Sequence, residues 1–259
     1  MNSFTDLKDC WERLSKEDLL WAILSREEKK AGKWEIADFL STGREDINYY
    51  LQILRTVEGM PKHFNGILDF GCGVGRLSLA WSSYAKYVTG VDISEFMIIQ
   101  ARELSSGFPN VKYVCNPRPD LSEFDSSSFE LVFSHICLQH MPWSMTRGYL
   151  QEFARVCQPG GYVVFQLPSR PLHIQTIARM RRWIVDRLPF GLSRTYRKWR
   201  RGTSTIFDMY FTPVQEVIKV CLSFGLKDII LKYDESAGPQ TEGFIYLFQK
   251  PIRDRFDAT

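Results

Sequence analysis

The stretch ILDFGCGVGR, residues 67 to 76, places glycines at the alternate positions 71, 73 and 75 directly behind a short apolar run. A strand that enters a bare turn and then a helix is the opening unit of a doubly wound sheet. Main chain without Cβ atoms there lets a nucleoside-bearing ligand lie against it. Counting from Gly71, the sixth position holds Arg76 instead of Gly or Ala, which argues against a pyrophosphate-binding fingerprint. The chain also lacks the Gly-Lys-Ser/Thr of a phosphate-cradling loop.

The rest of the chain keeps the same rhythm. Strand-like runs (GILDF, YVTGVDI, VKYVC, FELVFSHI, GYVVFQL, KDIILKYD and GFIYLFQK) alternate with helical ones that start near residues 74, 95 and 144 and at TPVQEVIKVCLSFG. This predicts an α/β fold: a seven-stranded, mostly parallel, doubly wound sheet with helices on both faces. The last two strands are joined by a short Gly-Pro link, so the final one is expected to run antiparallel, at the sheet edge. Residues 5 to about 60 show helical spacing broken at Gly32 and at Ser41-Thr42-Gly43, which predicts a helical amino-terminal cover over residues 1–60 ahead of a main domain over 61–259. Trp34, Thr42 and Gly43 are candidates to line the cleft beneath that cover.

Composition narrows the class. With 44% hydrophobic and 24% charged residues the chain reads as a globular protein with a full core, and no apolar run reaches membrane-spanning length. The amino terminus carries acids among its apolar residues, so no secretion signal is expected. The six cysteines form no CxxC pair and read as reduced thiols of a cytoplasmic protein. His135 and His140, five apart, miss the helical spacing of a zinc pair, and no metal site is expected. A net charge of +3 does not by itself call for nucleic acid.

About twenty residues after the first glycine comes GVDIS, whose Asp92 falls at the carboxyl end of the second strand, where a carboxylate can accept hydrogen bonds from both hydroxyls of a ribose. Together LDFGCGVGR, VDIS, SSSFELVFSHICLQHM and EFARVCQPGGYVVF resemble the class I S-adenosylmethionine-dependent methyltransferases, over roughly residues 60 to 250. The resemblance implies a seven-stranded sheet with a reversed last strand and S-adenosylmethionine as cofactor. It further implies that Asp69 supports the methionine amino end, that Gly71, Gly73 and Gly75 line the cofactor, and that Asp92 takes the ribose. Ile93 and Met97 would be apolar neighbours of the adenine, and Asn116 stands in the loop that often supplies an acid to the adenine amine.

Ligands of open α/β sheets bind beyond the carboxyl ends of the strands, so SHICLQHM should face the transferred methyl group, with Ser134 beside the cofactor. A sulfonium is already electrophilic, and the protein need only align a nucleophile and exclude water. If the acceptor is a hydroxyl, a histidine can take its proton; His140 is the first candidate and His135 the second. His63 and His173 fall outside this constellation, and Cys137 lacks the context of a covalent pyrimidine methylase and reads as packing.

Between the fifth strand and the next helix, about residues 169–204, ten arginines and lysines face the single acid Asp186, with Trp183, Tyr196 and Trp199 interleaved. In this family that connection commonly carries the acceptor-binding cap. Its charge invites an anionic acceptor, a small molecule or lipid-linked glycan, or peripheral contact with an anionic surface. The expected function is therefore methyl transfer to a small molecule or glycan, at oxygen. The alternatives are an RNA methyltransferase, although no RNA-binding appendage or stable nucleic-acid partner is expected, and a cofactor-binding protein that acts as a regulator without catalysis.

Overall fold

The computed structural model describes residues 3–172 and 209–252, the side chains of residues 228 and 229 excepted. The arginine-rich segment anticipated as a cap, with His173, lies almost entirely outside the described residues.

The order begins with helices α1 (Phe4–Glu17), α2 (Leu19–Ile23) and α3 (Ile36–Leu54), and continues with β1 (Phe64–Phe70), α4 (Arg76–Trp81) and β2 (Ala85–Asp92). Then come α5 (Glu95–Leu104), β3 (Val111–Cys115), β4 (Phe129–Ser134), α6 (Trp143–Val156) and β5 (Cys157–Pro171). The chain ends with α7 (Val214–Ser223), β6 (Lys227–Asp234) and β7 (Thr241–Gln249). The seven strands form one sheet in the order β3-β2-β1-β4-β5-β7-β6, and only β7 opposes its neighbours. The doubly wound reading and the reversed last strand are therefore observed. The edge position is not: β7 inserts between β5 and β6, and β6 forms the edge. Its run Phe244 to Phe248 is apolar on both faces, which suits an inner strand, whereas β6 leaves Leu231 and Tyr233 exposed. β5 also continues past Leu167 to Pro171, because it pairs with β7 as far as Thr241.

Two apolar layers sandwich the sheet. Leu68, Phe70, Val132, Val163 and Phe165 meet α6 and α7 on one face, and Leu7 of α1 joins them there. Ile67, Phe133, Val164, Ile245 and Leu247 meet α3 and α4 on the other through Ile47, Tyr50, Leu54, Leu77 and Trp81. The amino-terminal helices thus share the layers of the sheet. The chain breaks after α2 at Ala31 and Gly32, both with positive φ, but α3 runs unbroken through Ser41-Thr42-Gly43. Thr42 satisfies its hydroxyl within the helix, on Phe39 O at 2.6 Å, and Gly43 is where α3 crosses α4. A Cβ there would lie 2.4 Å from Arg76 O, so the glycine is a contact point and not a stop. Among the described residues no helix is long and apolar enough to cross a membrane.

Candidate functional site

The glycine loop is tied to the neighbouring strand before it meets anything else. Gly71 N and Cys72 N both donate to Val91 O, at 2.8 and 3.0 Å, which fixes the exit of β1 against the exit of β2. Gly71, Gly73 and Gly75 have φ of 76°, 54° and 85°, a region that side-chain-bearing residues rarely adopt. Their bareness also admits close neighbours. A Cβ on Gly71 would lie 2.2 Å from Cys137 Sγ, and one on Gly73 would lie 2.8 Å from Ile23 Cδ1. Gly75 is approached by the Tyr113 hydroxyl on the sheet side and is the residue from which α4 starts.

Asp92 locks this turn from the second strand. Its Oδ2 accepts from Gly73 N at 2.9 Å and its Oδ1 accepts from Ser94 N at 2.9 Å. Ser94 in turn caps α5, accepting from Met97 N at 3.2 Å. Burial pushes the Asp92 carboxyl above the usual carboxylate range, and the backbone donors of Ser94 and Gly73 oppose that shift. Two carboxylate oxygens offer more acceptor sites than these backbone donors fill.

These elements border a cleft of about 840 Å³, open solvent included, at the carboxyl ends of β1, β2 and β4. Gly71, Gly73, Asp92, Ile93, Met97 and Asn116 all line it. Asn116 is held by Asp92 O on its N–H and spends its side chain on its own loop, donating to Asp120 O at 2.6 Å. Phe4, Leu7 and Trp11 of α1 and Ile23 of α2 form the opposite wall. The lining is therefore mostly apolar, with Asp92, Arg76, Asn116 and His135 among its polar side chains.

Three expected cofactor residues do not border it. Asp69 alternates with Phe70 along β1, and only Phe70 reaches the cleft face. Asp69 is buried on the opposite side, accepting from Ser78 Oγ at 2.6 Å. Desolvation pushes its carboxyl up to about 6, against the Ser78 hydrogen bond and the Arg76 charge. Ser134 is buried and donates to Phe70 O at 3.0 Å, tying β4 to the end of β1. Gly75 serves the Tyr113 contact and the start of α4.

The two histidines separate. His135 lines the cleft, with Nδ1 2.8 Å from Tyr50 Oη and Nε2 3.8 Å from Asp46 Oδ2. Desolvation, assisted by the Arg76 charge, holds its imidazole down to about 4 despite Asp46, so it is neutral at neutral pH. Burial raises the Tyr50 hydroxyl well above the ordinary tyrosine value, so Tyr50 keeps its proton and shares a hydrogen bond with Nδ1 whose direction follows the ring tautomer. His140 does not line the cleft; it lies against Gln139 and meets the edge of Trp11 at a centroid distance of 5.4 Å.

One cleft residue lies in the glycine motif but has no site role in the sequence reading. Arg76, the first residue of α4, is 3% exposed; its Nη1 donates to Asp46 Oδ2 at 2.5 Å and to Thr42 Oγ1 at 3.0 Å. Its signal in the sequence was a lone cation in an otherwise apolar helix, RLSLAW, which must find a buried partner. The partner lies 30 residues upstream. Of the amino-terminal candidates, Thr42 and Gly43 touch Arg76 and not the cleft itself, and Trp34 packs with Trp21, Phe39 and Val74 while donating to Leu24 O. Cys137, half-buried, packs on Gly71, and desolvation pushes the ionisation of its thiol far up. His63 does not line the cleft.

Residues 68–165 match a family model described as a methyltransferase domain. A ubiquinone biosynthesis O-methyltransferase of Paracidovorax citrulli is 31% identical over 117 residues, 44% of this chain and 48% of the relative. A malonyl-[acyl-carrier protein] O-methyltransferase of Salmonella typhimurium is 33% identical over 105 residues, 40% of this chain and 39% of the relative. The match thus spans less than half the length of these curated relatives. The solved magnesium protoporphyrin IX methyltransferase of Synechocystis, with bound SAH, superposes with a TM-score of 0.61 at 16% identity, over 95% of this chain and 100% of that one. At that identity the likeness is one of fold.

Proposed function

We propose that the protein is a class I methyltransferase that transfers a methyl group from S-adenosylmethionine to an oxygen of a small molecule, a reading supported by the match of residues 68–165 to a methyltransferase-domain model. The observation that carries the proposal is Asp92: one carboxylate holds the bare Gly73 turn and the head of α5, and still faces the cleft with acceptor capacity for two ribose hydroxyls. The donor set fits the cofactor. Gly71 and Gly73 keep the floor flat, Ile93 and Met97 offer an apolar slot to a purine, and Asn116 closes its end.

When bound, S-adenosylmethionine supplies a sulfonium-linked methyl group open to in-line attack. The chain's own part is to position and to exclude water. Trp11, Leu7 and Ile23 wall the cleft with apolar surface, and Phe70, Met141 and Tyr149 line it from the sheet side and α6. His135 shares Nδ1 with the buried Tyr50 hydroxyl and stands neutral near Asp46, and in this reading it shapes the methyl end. His140 is one ring away, behind Trp11. No other histidine lines the cleft among the described residues.

A cleft arranged this way suits an acceptor oxygen that arrives ionised or strongly acidic, since such an oxygen needs no general base. The O-methyltransferases among the relatives, acting in ubiquinone biosynthesis and on a malonyl-[acyl-carrier protein], support a small or carrier-linked acceptor. The ten basic residues between about 169 and 204 favour one that carries negative charge. The acceptor would approach past His135, over the carboxyl ends of β4 and β5.

Titration calorimetry with S-adenosylmethionine and S-adenosylhomocysteine tests the reading. Saturable binding of both is expected, weakened by about 1–3 kcal/mol in Asp92→Ala through loss of charge-assisted hydrogen bonds. Absence of heat at high micromolar ligand would end it.

A further inference from the structure

With Asp69 turned away from the cleft, the amino-acid end of the methyl donor needs another partner. Resting on the cofactor reading above, we propose that Arg76 is that partner: its guanidinium, carried by α4 and braced against α3, binds the α-carboxylate of the bound cofactor. The first observation is that Arg76 is 3% exposed yet lines the same cleft as Gly71, Asp92, Ile93, Met97 and His135. The second is that its Nε is buried with no hydrogen-bond partner. A buried guanidinium N–H without a partner costs stability and is retained where a ligand completes it.

The surrounding groups aim this donor. Asp46 Oδ2 and Thr42 Oγ1 both take Nη1, and the Phe39 ring lies 6.0 Å beneath the guanidinium carbon. Gly43 allows α3 to approach closely enough for these contacts. Asp46 balances the cation from its outer side, with its side chain 36% exposed, and leaves the Nε edge for a second anion. A carboxylate there would gain a charge-assisted hydrogen bond in a desolvated site. Adenosine-only ligands would gain nothing from it.

The test compares two probes, S-adenosylhomocysteine and 5′-methylthioadenosine, which share the adenosyl thioether but differ in the amino-acid group. Wild-type protein is expected to bind the first more tightly. Arg76→Met should weaken S-adenosylhomocysteine about 10- to 100-fold and leave 5′-methylthioadenosine within about twofold. Equal losses for both probes would make Arg76 a structural residue and overturn the proposal, as would equal wild-type affinities. A wild type that binds neither probe overturns the cofactor reading itself, a distinct outcome. Should Arg76→Met fail to fold, Arg76→Lys serves: it keeps the cation beside Asp46 but loses the Nε–H, and the same selective loss for the amino-acid-bearing probe is expected. A uniform loss in that variant would again contradict the assignment.

Discussion

At the scale of single residues, two acids of similar sequence context do different work, and side-chain alternation decides which. Phe70 reaches the cleft and Asp69, one residue earlier, is turned to the opposite side of β1, under Ser78. Its carboxyl sits at about 6, above the unfolded value, because burial penalises the charged form. The folded state therefore binds this proton more tightly than the unfolded chain does. The Asp69 contribution is largest below about pH 4, declines as pH rises toward 6 and is flat above that. The span is about 3 kcal/mol from the size of the shift. Denaturant unfolding at a series of pH values should show that decline in the wild type relative to Asp69→Asn, which keeps a Ser78 partner and lacks the titration. A pH-independent difference between the two proteins would show that Asp69 does not titrate in this way. The acid that does face the cleft, Asp92, was legible from its spacing behind the glycines. Arg76, Asp46 and Tyr50 were not, because their pairings span 30 and 85 residues and nothing local announces the partner.

At the scale of elements, the helices ahead of the sheet act as its lining. α1 contributes Phe4, Leu7 and Trp11 to the cleft, and it is pinned to α5 where Glu12 Oε1 accepts from Glu95 N at 2.6 Å and Ser15 Oγ lies 3.4 Å from Ser94 Oγ. That pin sits beside the Asp92 turn, so ligand binding and α1 docking should reinforce each other. Hydrogen exchange is expected to slow across α1 on addition of S-adenosylhomocysteine, and Glu12→Ala should speed it in the free protein. Unchanged exchange in both experiments would separate α1 from the site. The contact of α3 with α4 makes a second prediction. Gly43→Ala places a methyl 2.4 Å from Arg76 O, so it should destabilise the fold by about 1–3 kcal/mol and displace Arg76, weakening cofactor binding as well. Thermal unfolding and calorimetry read these two effects. The strand sequence was legible because each run has its own period or apolar block. The place of β7 was misread from chain proximity, although its apolar run had the character of an inner strand and the exposed Leu231 and Tyr233 marked β6 as the edge.

At the scale of the whole molecule, the sheet brings the ends of β1, β2 and β4 to one opening, which is where an open α/β sheet takes its ligand. With His135 bonded to Tyr50 and His140 outside the cleft lining, kcat/KM should rise with pH along the acceptor's own ionisation, and His140→Ala should leave the shape of that profile unchanged. A profile that loses its acidic limb in this variant would restore the histidine as a base. The proposed function puts an adenosyl group on the Gly71–Gly73 main chain with its ribose on Asp92. Electron density from crystals grown with S-adenosylhomocysteine measures it. The ribose hydroxyls should lie within hydrogen-bonding distance of both Asp92 oxygens, with the purine between Ile93 and Met97. Density for the ligand elsewhere, with Ile23 and Cys137 still closed over the glycines, would contradict the claim.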